Sequence, residues 1–305
     1  MTLFTIVAPI FALILIGRFS NIVGLLDPPA LRGLTDFVFF FAMPALLFGS
    51  IAEGPPFDIL GVAGVYFSAC LLIFGLGFAA ARLLRLPQAN AAMLGLNASY
   101  GNTVMMGIPI VAAAFGGEAL PPLLAIIALH SAILLPLAGT LIELGIAGRG
   151  RPLDILRGTL LGALRNPIIV SILVGFLWRA VDLPVPAPLH VLLHMLGAAG
   201  PPLALACLGA SLPGLTRAAI GAEAAIGTVL KIAALPALIW GIGRLAHLAP
   251  LPLAVATLTG GMPTGANAFL LARRAETLLR ISASTVLITT VLSLFTLSAM
   301  LALLR

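Results

Sequence analysis

The sequence predicts an all-α integral membrane protein with ten transmembrane helices. They form two inverted five-helix repeats, and the fourth and ninth helices are broken. Three observations carry this expectation: an apolar composition, a shared register of Pro, Gly and Asn between the two halves, and two polar, glycine-rich interruptions inside apolar spans. Of 305 residues, 61% are hydrophobic and 9% charged, and the mean hydropathy is +1.19. Soluble domains carry about 25% charged residues. Apolar runs of about 20 residues suit helices, because barrel strands would need only about 10, with alternating polarity.

The spans are expected at 3–26, 34–52, 57–81, 88–115, 119–144, 166–183, 189–212, 218–242, 251–272 and 282–304. They divide into a first repeat over 1–145, a cytoplasmic loop over 146–165 with room for a short interfacial helix, and a second repeat over 166–305. Thr2 leads straight into apolar sequence without a basic segment, so the first span is expected to be retained rather than cleaved. The side of the loops after odd-numbered spans is assigned twelve arginines: Arg18, Arg32, Arg82, Arg85, Arg149, Arg151, Arg157, Arg165, Arg217, Arg273, Arg274 and Arg280. The opposite side has three, Arg179, Arg244 and Arg305. Positive residues stay in the cytoplasm, which places the central loop there and both termini outside. The net charge of +6 is thereby read as a topology signal, and nucleic acid is not expected as a partner.

The repeat appears when the chain is shifted against itself. A shift of 158 aligns Pro9 with Pro167, Gly17 with Gly175, Pro28 with Pro186 and Pro44 with Pro202. A shift of 165 aligns Pro87 with Pro252, Gly95 with Gly260 and Asn102 with Asn267. Leu and Ile matches carry little weight in so apolar a chain; Pro, Gly and Asn matches carry more. Five spans per copy is an odd number, so the second copy enters the membrane inverted.

The two breaks are Gly95–Pro109 (GLNASYGNTVMMGIP) and Gly260–Ala268 (GGMPTGANA). Each Gly lowers helix stability by about 1 kcal/mol relative to Ala, and Pro removes a donor and clashes one turn back. A helix break is expected at Ser99–Asn102 and another around Pro263 and Gly265. Polar backbone at this depth is tolerated only where protein or a water-filled cavity satisfies it. Half-helix N-termini would point N–H groups at an anion. Asn97, Ser99, Gly101, Asn102, Thr103, Pro109, Met262, Pro263, Thr264 and Asn267 are the candidate binding residues.

Charge inside the membrane adds two candidates. Lys231, the sole lysine, falls near the middle of the eighth span and needs an anionic partner or the C-terminal end of a half-helix. It is read as part of the site, or as filling the place of a coupling cation. His130, deep in the fifth span, is read either as a proton relay or as a packed interhelical hydrogen-bonder. Asp36 is expected to pair with Arg32 on one helix face. Pro44 and Pro202 are expected to kink the second span of each repeat. Cys70 and Cys207 sit in apolar spans and read as small hydrophobes, so no metal, disulfide or cofactor is expected. No Ser–His–Asp, HExxH, Walker or GxSxG pattern appears, which argues against an enzyme.

Asn102–Pro109 (NTVMMGIP) closely resembles the fourth-span motif of the auxin efflux carrier family, which includes plant PIN auxin carriers and bacterial malate and malonate carriers. Met262–Ala272 (MPTGANAFLLA) resembles that family's ninth-span motif. The resemblance implies a bile-acid symporter/NhaA-like fold with scaffold and transport parts drawn from both repeats. It also implies an elevator-type movement, a homodimer and an organic anion held by Asn102 and Pro263. Gly101 departs from the plant pattern, where a proline precedes the Asn-Thr pair, and the long hydrophilic central loop is missing. A small carboxylate such as malate or malonate therefore suits the chain better than auxin.

The expected function is a secondary carrier for small organic anions in a bacterial inner membrane, working without a cofactor. The alternatives are a sodium-coupled symporter of bile-acid type and a non-transporting receptor on the same fold.

Overall fold

The computed structural model describes residues 3–53, 58–146, 167–211 and 221–304. The expected cytoplasmic loop, with Arg149, Arg151, Arg157 and Arg165, lies outside the described residues, as does Arg217. We number the helices α1 (Leu3–Ile22), α2 (Pro28–Ala52), α3 (Ile59–Leu83), α4 (Gln88–Ser99), α5 (Thr103–Phe115) and α6 (Leu120–Ile146). They continue as α7 (Pro167–Ala180), α8 (Ala187–Ser211), α9 (Ala222–Leu245), α10 (Pro250–Gly260), α11 (Ala266–Arg274) and α12 (Leu279–Leu304). All regular structure among the described residues is helical, apart from one isolated antiparallel bridge between Gly101 and Thr264.

Among the described residues, six helical runs are long and apolar enough to cross a membrane: α2, α3, α8, α9, α12 and Gly117–Gly145, which contains most of α6. Large apolar side chains cover their outer surfaces; Leu60, Leu76, Leu83, Phe295 and Leu303 are all exposed. Water would penalise such a surface, whereas hydrocarbon does not. The protein is a multi-pass membrane protein.

Three prolines shape three helices by one mechanism. Wide π turns occupy Val38–Ala42 in α2, Thr103–Gly107 in α5 and Leu230–Ala234 in α9. Each ends two residues before a proline, Pro44, Pro109 and Pro236 respectively. A proline within a helix has no N–H to give and collides with the carbonyl four residues earlier. Widening the preceding turn moves that carbonyl aside and lets the helix continue. Met43 N–H accordingly bonds Val38 O, and Leu235 N–H bonds Leu230 O, five residues back in each case. The kink expected at Pro44 thus takes the form of a π turn. Pro201 and Pro202 lie inside an uninterrupted α8.

The chain divides into two compact units, each assembled from distant segments: Met1–Asp58, Val104–Leu124 and Ala163–Pro213 form the first. Its helices approach through glycines. A Cβ on Gly209 would lie 1.9 Å from Ile14 O, and one on Gly17 would lie 1.9 Å from Ala206 O, so α1 and α8 touch backbone to backbone. Gly175 on α7 faces Ile51 and Gly197 on α8 faces Leu46, both on α2. Lipid offers no hydrophobic drive between helices, and close van der Waals approach of small residues replaces it. Asp27 caps α2, its Oδ1 accepting from Ala30 N at 2.8 Å. Beyond the end of α2, Glu53 Oε1 meets His190 Nδ1 at 2.8 Å, beside a cavity of about 530 Å3 also lined by Glu118 and His194. Arg32 and Asp36 form no ion pair, contrary to the sequence expectation. Both side chains are exposed, where pairing gains little over solvation.

Ile59–Thr103, Ala125–Gly162 and Gly214–Arg305 form the second unit. Its core gathers Tyr66, Phe67, Ile73, Met93, Leu96, Leu134 and Ile239. Gly95 brings α4 against α3, since a Cβ there would lie 2.7 Å from Phe74 O. One face of α12 carries a buried polar stripe, Ser282, Thr285, Thr289 and Ser293.

The close contacts predict a contrast between two substitutions. Gly209→Ala should force α1 and α8 apart and destabilise the protein by about 1–3 kcal/mol, the usual cost of overpacking. Gly75→Ala, whose Cβ would meet nothing within 4 Å, should be neutral or slightly stabilising. Thermal unfolding in detergent separates the two.

Candidate functional site

Both polar interruptions are breaks in helices, and in the second unit they are joined. The helix α4 ends at Ser99 and helical structure resumes at Thr103; α10 ends at Gly260 and α11 begins at Ala266. The two extended pieces run antiparallel and share two backbone hydrogen bonds. Asn102 N donates to Pro263 O at 2.8 Å, and Gly265 N donates to Tyr100 O at 3.0 Å. Gly265 permits the approach, because a Cβ there would lie 2.9 Å from both Gly101 O and the Tyr100 ring.

Two further freed donors find side chains. Gly101 N donates to His130 Nε2 at 3.0 Å, and Thr264 N donates to Thr289 Oγ1 at 3.0 Å. Thr264 Oγ1 in turn donates to Asn97 O at 2.8 Å, a carbonyl whose partner in a continued helix, Gly101 N, bonds His130 instead. Met262 N turns back to Thr259 O. Each backbone N–H left orphaned in a low-dielectric interior costs about 1–3 kcal/mol, so this set of partners is what allows unwound chain there.

The candidate residues separate into supports and accessible groups. Asn97 is buried and donates from Nδ2 to Ser282 Oγ at 2.9 Å; Ser99 is buried and bonds Gly95 O. Thr103, Met262 and Thr264 are buried as well. Asn102 is half-buried and Asn267 exposed. Among the described residues the Asn102 side-chain amide makes no hydrogen bond, while Asn267 Nδ2 donates to the Tyr100 hydroxyl at 2.9 Å. Pro109 is buried at the start of a helical turn in the first unit; all the other candidates fall in the second.

His130 occupies a defined place. Its Nε2 accepts from a backbone N–H, so that nitrogen carries no proton and the neutral ring keeps its proton on Nδ1. The ring lies 4.5 Å from that of Tyr100. A relay through Nε2 would first have to release Gly101.

Lys231 lies in the π turn of α9 and is fully buried. Its Nζ donates to Gly260 O, the last residue of α10, at 2.5 Å. A Cβ on Gly101 would lie 3.4 Å from the same Nζ, so the ammonium also adjoins the other break. No Asp or Glu is buried among the described residues, which leaves this cation without an internal counter-charge.

Sequence reasoning missed Tyr100, Ser131, Ser282 and Thr289. The Tyr100 hydroxyl bridges Ser131 Oγ at 2.7 Å and Asn267. The polar stripe on α12 was legible as Ser and Thr at helical spacing, but its partner was not. Cys70 and Cys207 are buried free thiols, and no metal-binding cluster occurs among the described residues.

The hydrogen bond at Gly101 predicts the behaviour of two variants. His130→Leu leaves Gly101 N–H buried without a partner and should cost about 1–3 kcal/mol in thermal unfolding. His130→Gln retains an acceptor and should recover most of that loss.

Comparison with known proteins identifies the family. A family model described as membrane transport protein matches residues 2–301. A relative from Rhizobium meliloti named "Putative malonate transporter" is 27% identical over 98% of this chain and 95% of its own length. An uncharacterized transporter from Methanocaldococcus jannaschii is 26% identical over 95% of this chain and 94% of its own. The chain belongs to the membrane transport protein family, that of the auxin efflux carriers its two crossover motifs resemble.

Proposed function

We propose that the protein is a secondary active carrier for small organic anions such as malate, malonate or an auxin-like carboxylate, bound where the two helix breaks meet. The observation that carries the reading is Lys231: a fully buried ammonium, beside the paired breaks, with no buried carboxylate among the described residues. A buried charge without a counter-charge is costly, and an anionic ligand removes that cost. The Asn102 side-chain amide, unpartnered among the described residues, and the accessible Asn267 supply donors of the kind a carboxylate takes. The name of the Rhizobium meliloti relative favours a dicarboxylate.

The wider reading is a ten-span protein of two inverted repeats, in a bacterial inner membrane, with both termini outside and the central loop cytoplasmic. All candidates except Pro109 belong to one compact unit, which suits an elevator-type movement in which that unit is the transport part. The first unit would then be the scaffold and the side through which a homodimer forms. His130 remains a candidate proton relay, although its bond to Gly101 favours the supporting role.

Uptake and export of mono- and dicarboxylates in proteoliposomes test the proposal. Asn102→Ala and Asn267→Ala should each lower transport roughly 10- to 100-fold, the loss of a hydrogen bond to a charged group. Undiminished transport by both variants would remove these residues from the site.

A further inference from the structure

The surroundings of Lys231 carry a second reading, which rests on the proposed anion site. In transporters with broken helices, coupling cations are held by unwound carbonyls and by the C-terminal ends of half-helices, where the helix dipole is negative. Here α10 is such a half-helix, and its terminal carbonyl, Gly260 O, already accepts from Lys231 Nζ. The same ammonium adjoins Gly101 in the opposite break. We propose that Lys231 is the resident cation of this site: its ammonium fills the position that a coupling cation would occupy, so the anion binds without sodium.

Two structural features and one equality of charge bear on this. The side chain reaches the crossover from a π turn, which rotates Lys231 relative to an unbroken helix. The ammonium is fully buried, and the described residues place no carboxylate there to neutralise it. A monovalent cation and a protonated lysine carry the same charge, so the electrostatic demand at the α10 terminus is met by either. Truncation at Cβ removes the equivalent of propylammonium and leaves the carbonyl end of α10 open.

The test uses the full chain in detergent at constant ionic strength, with N-methylglucamine chloride as reference. Wild-type unfolding should be indifferent to replacing N-methylglucamine by sodium. Lys231→Ala should be stabilised by sodium and by propylammonium, with a shift of roughly 2 °C or more, but not by neutral propanol. A sodium-stabilised wild type, a variant indifferent to both cations, or a variant that propanol stabilises equally would overturn the inference. If Lys231→Ala does not fold, the wild-type arm still decides.

Malonate titrated into the wild type should stabilise it equally in sodium and in N-methylglucamine. Stabilisation in sodium alone would overturn the resident-cation inference and leave the anion site standing. Stabilisation by no carboxylate in either salt would overturn the anion site, while the cation measurements would still judge Lys231.

Discussion

The structure of the second unit depends on one constraint: unwound backbone in a low-dielectric interior must find hydrogen-bond partners within the protein. Two helices are interrupted, and neither interruption could be satisfied alone. Each supplies the other with an extended partner strand, through Asn102 N to Pro263 O and Gly265 N to Tyr100 O. Two further donors, Gly101 N and Thr264 N, are met by His130 and Thr289. The breaks are thus mutually dependent.

That pairing has an electrostatic consequence. Bringing the end of α10 beside Gly101 creates a place where a helix terminus presents its negative pole inside the protein. Lys231 occupies it. Among the described residues the lysine is therefore held by a helix terminus and a carbonyl with no buried carboxylate, which leaves this place a net positive character. That character is what the proposed anion site rests on.

Glycine and proline do different work here. Proline sets the π turns by removing one donor and displacing one carbonyl, and the turn before Pro236 is the one that holds Lys231. Glycine at Gly17, Gly209 and Gly95 allows helix backbones to touch where lipid gives no hydrophobic drive. Gly265 uses the same absence of a Cβ for a strand-to-strand approach.

Much of this was legible in the amino-acid order because it is local. Apolar runs locate helices, Pro and Gly clusters locate breaks, and helix α4 ends at Ser99, the first residue of the expected break. Lys231 stood out because a lone charge in an apolar span is costly wherever it points. What the sequence could not supply were relations between residues far apart in the chain. Asn97 bonds Ser282, Thr264 N bonds Thr289, and Tyr100 ties Asn267 to Ser131, none of which has a local signature. The exposed Arg32–Asp36 pair shows the reverse: an attractive local spacing that the folded chain has no energetic reason to use. Sequence alone determined where the helices had to break, because helix stability is decided within a few residues. Only the tertiary structure decided which donors and carbonyls meet across the breaks, because those partners are brought together by packing, and packing alone determines which amides stay accessible.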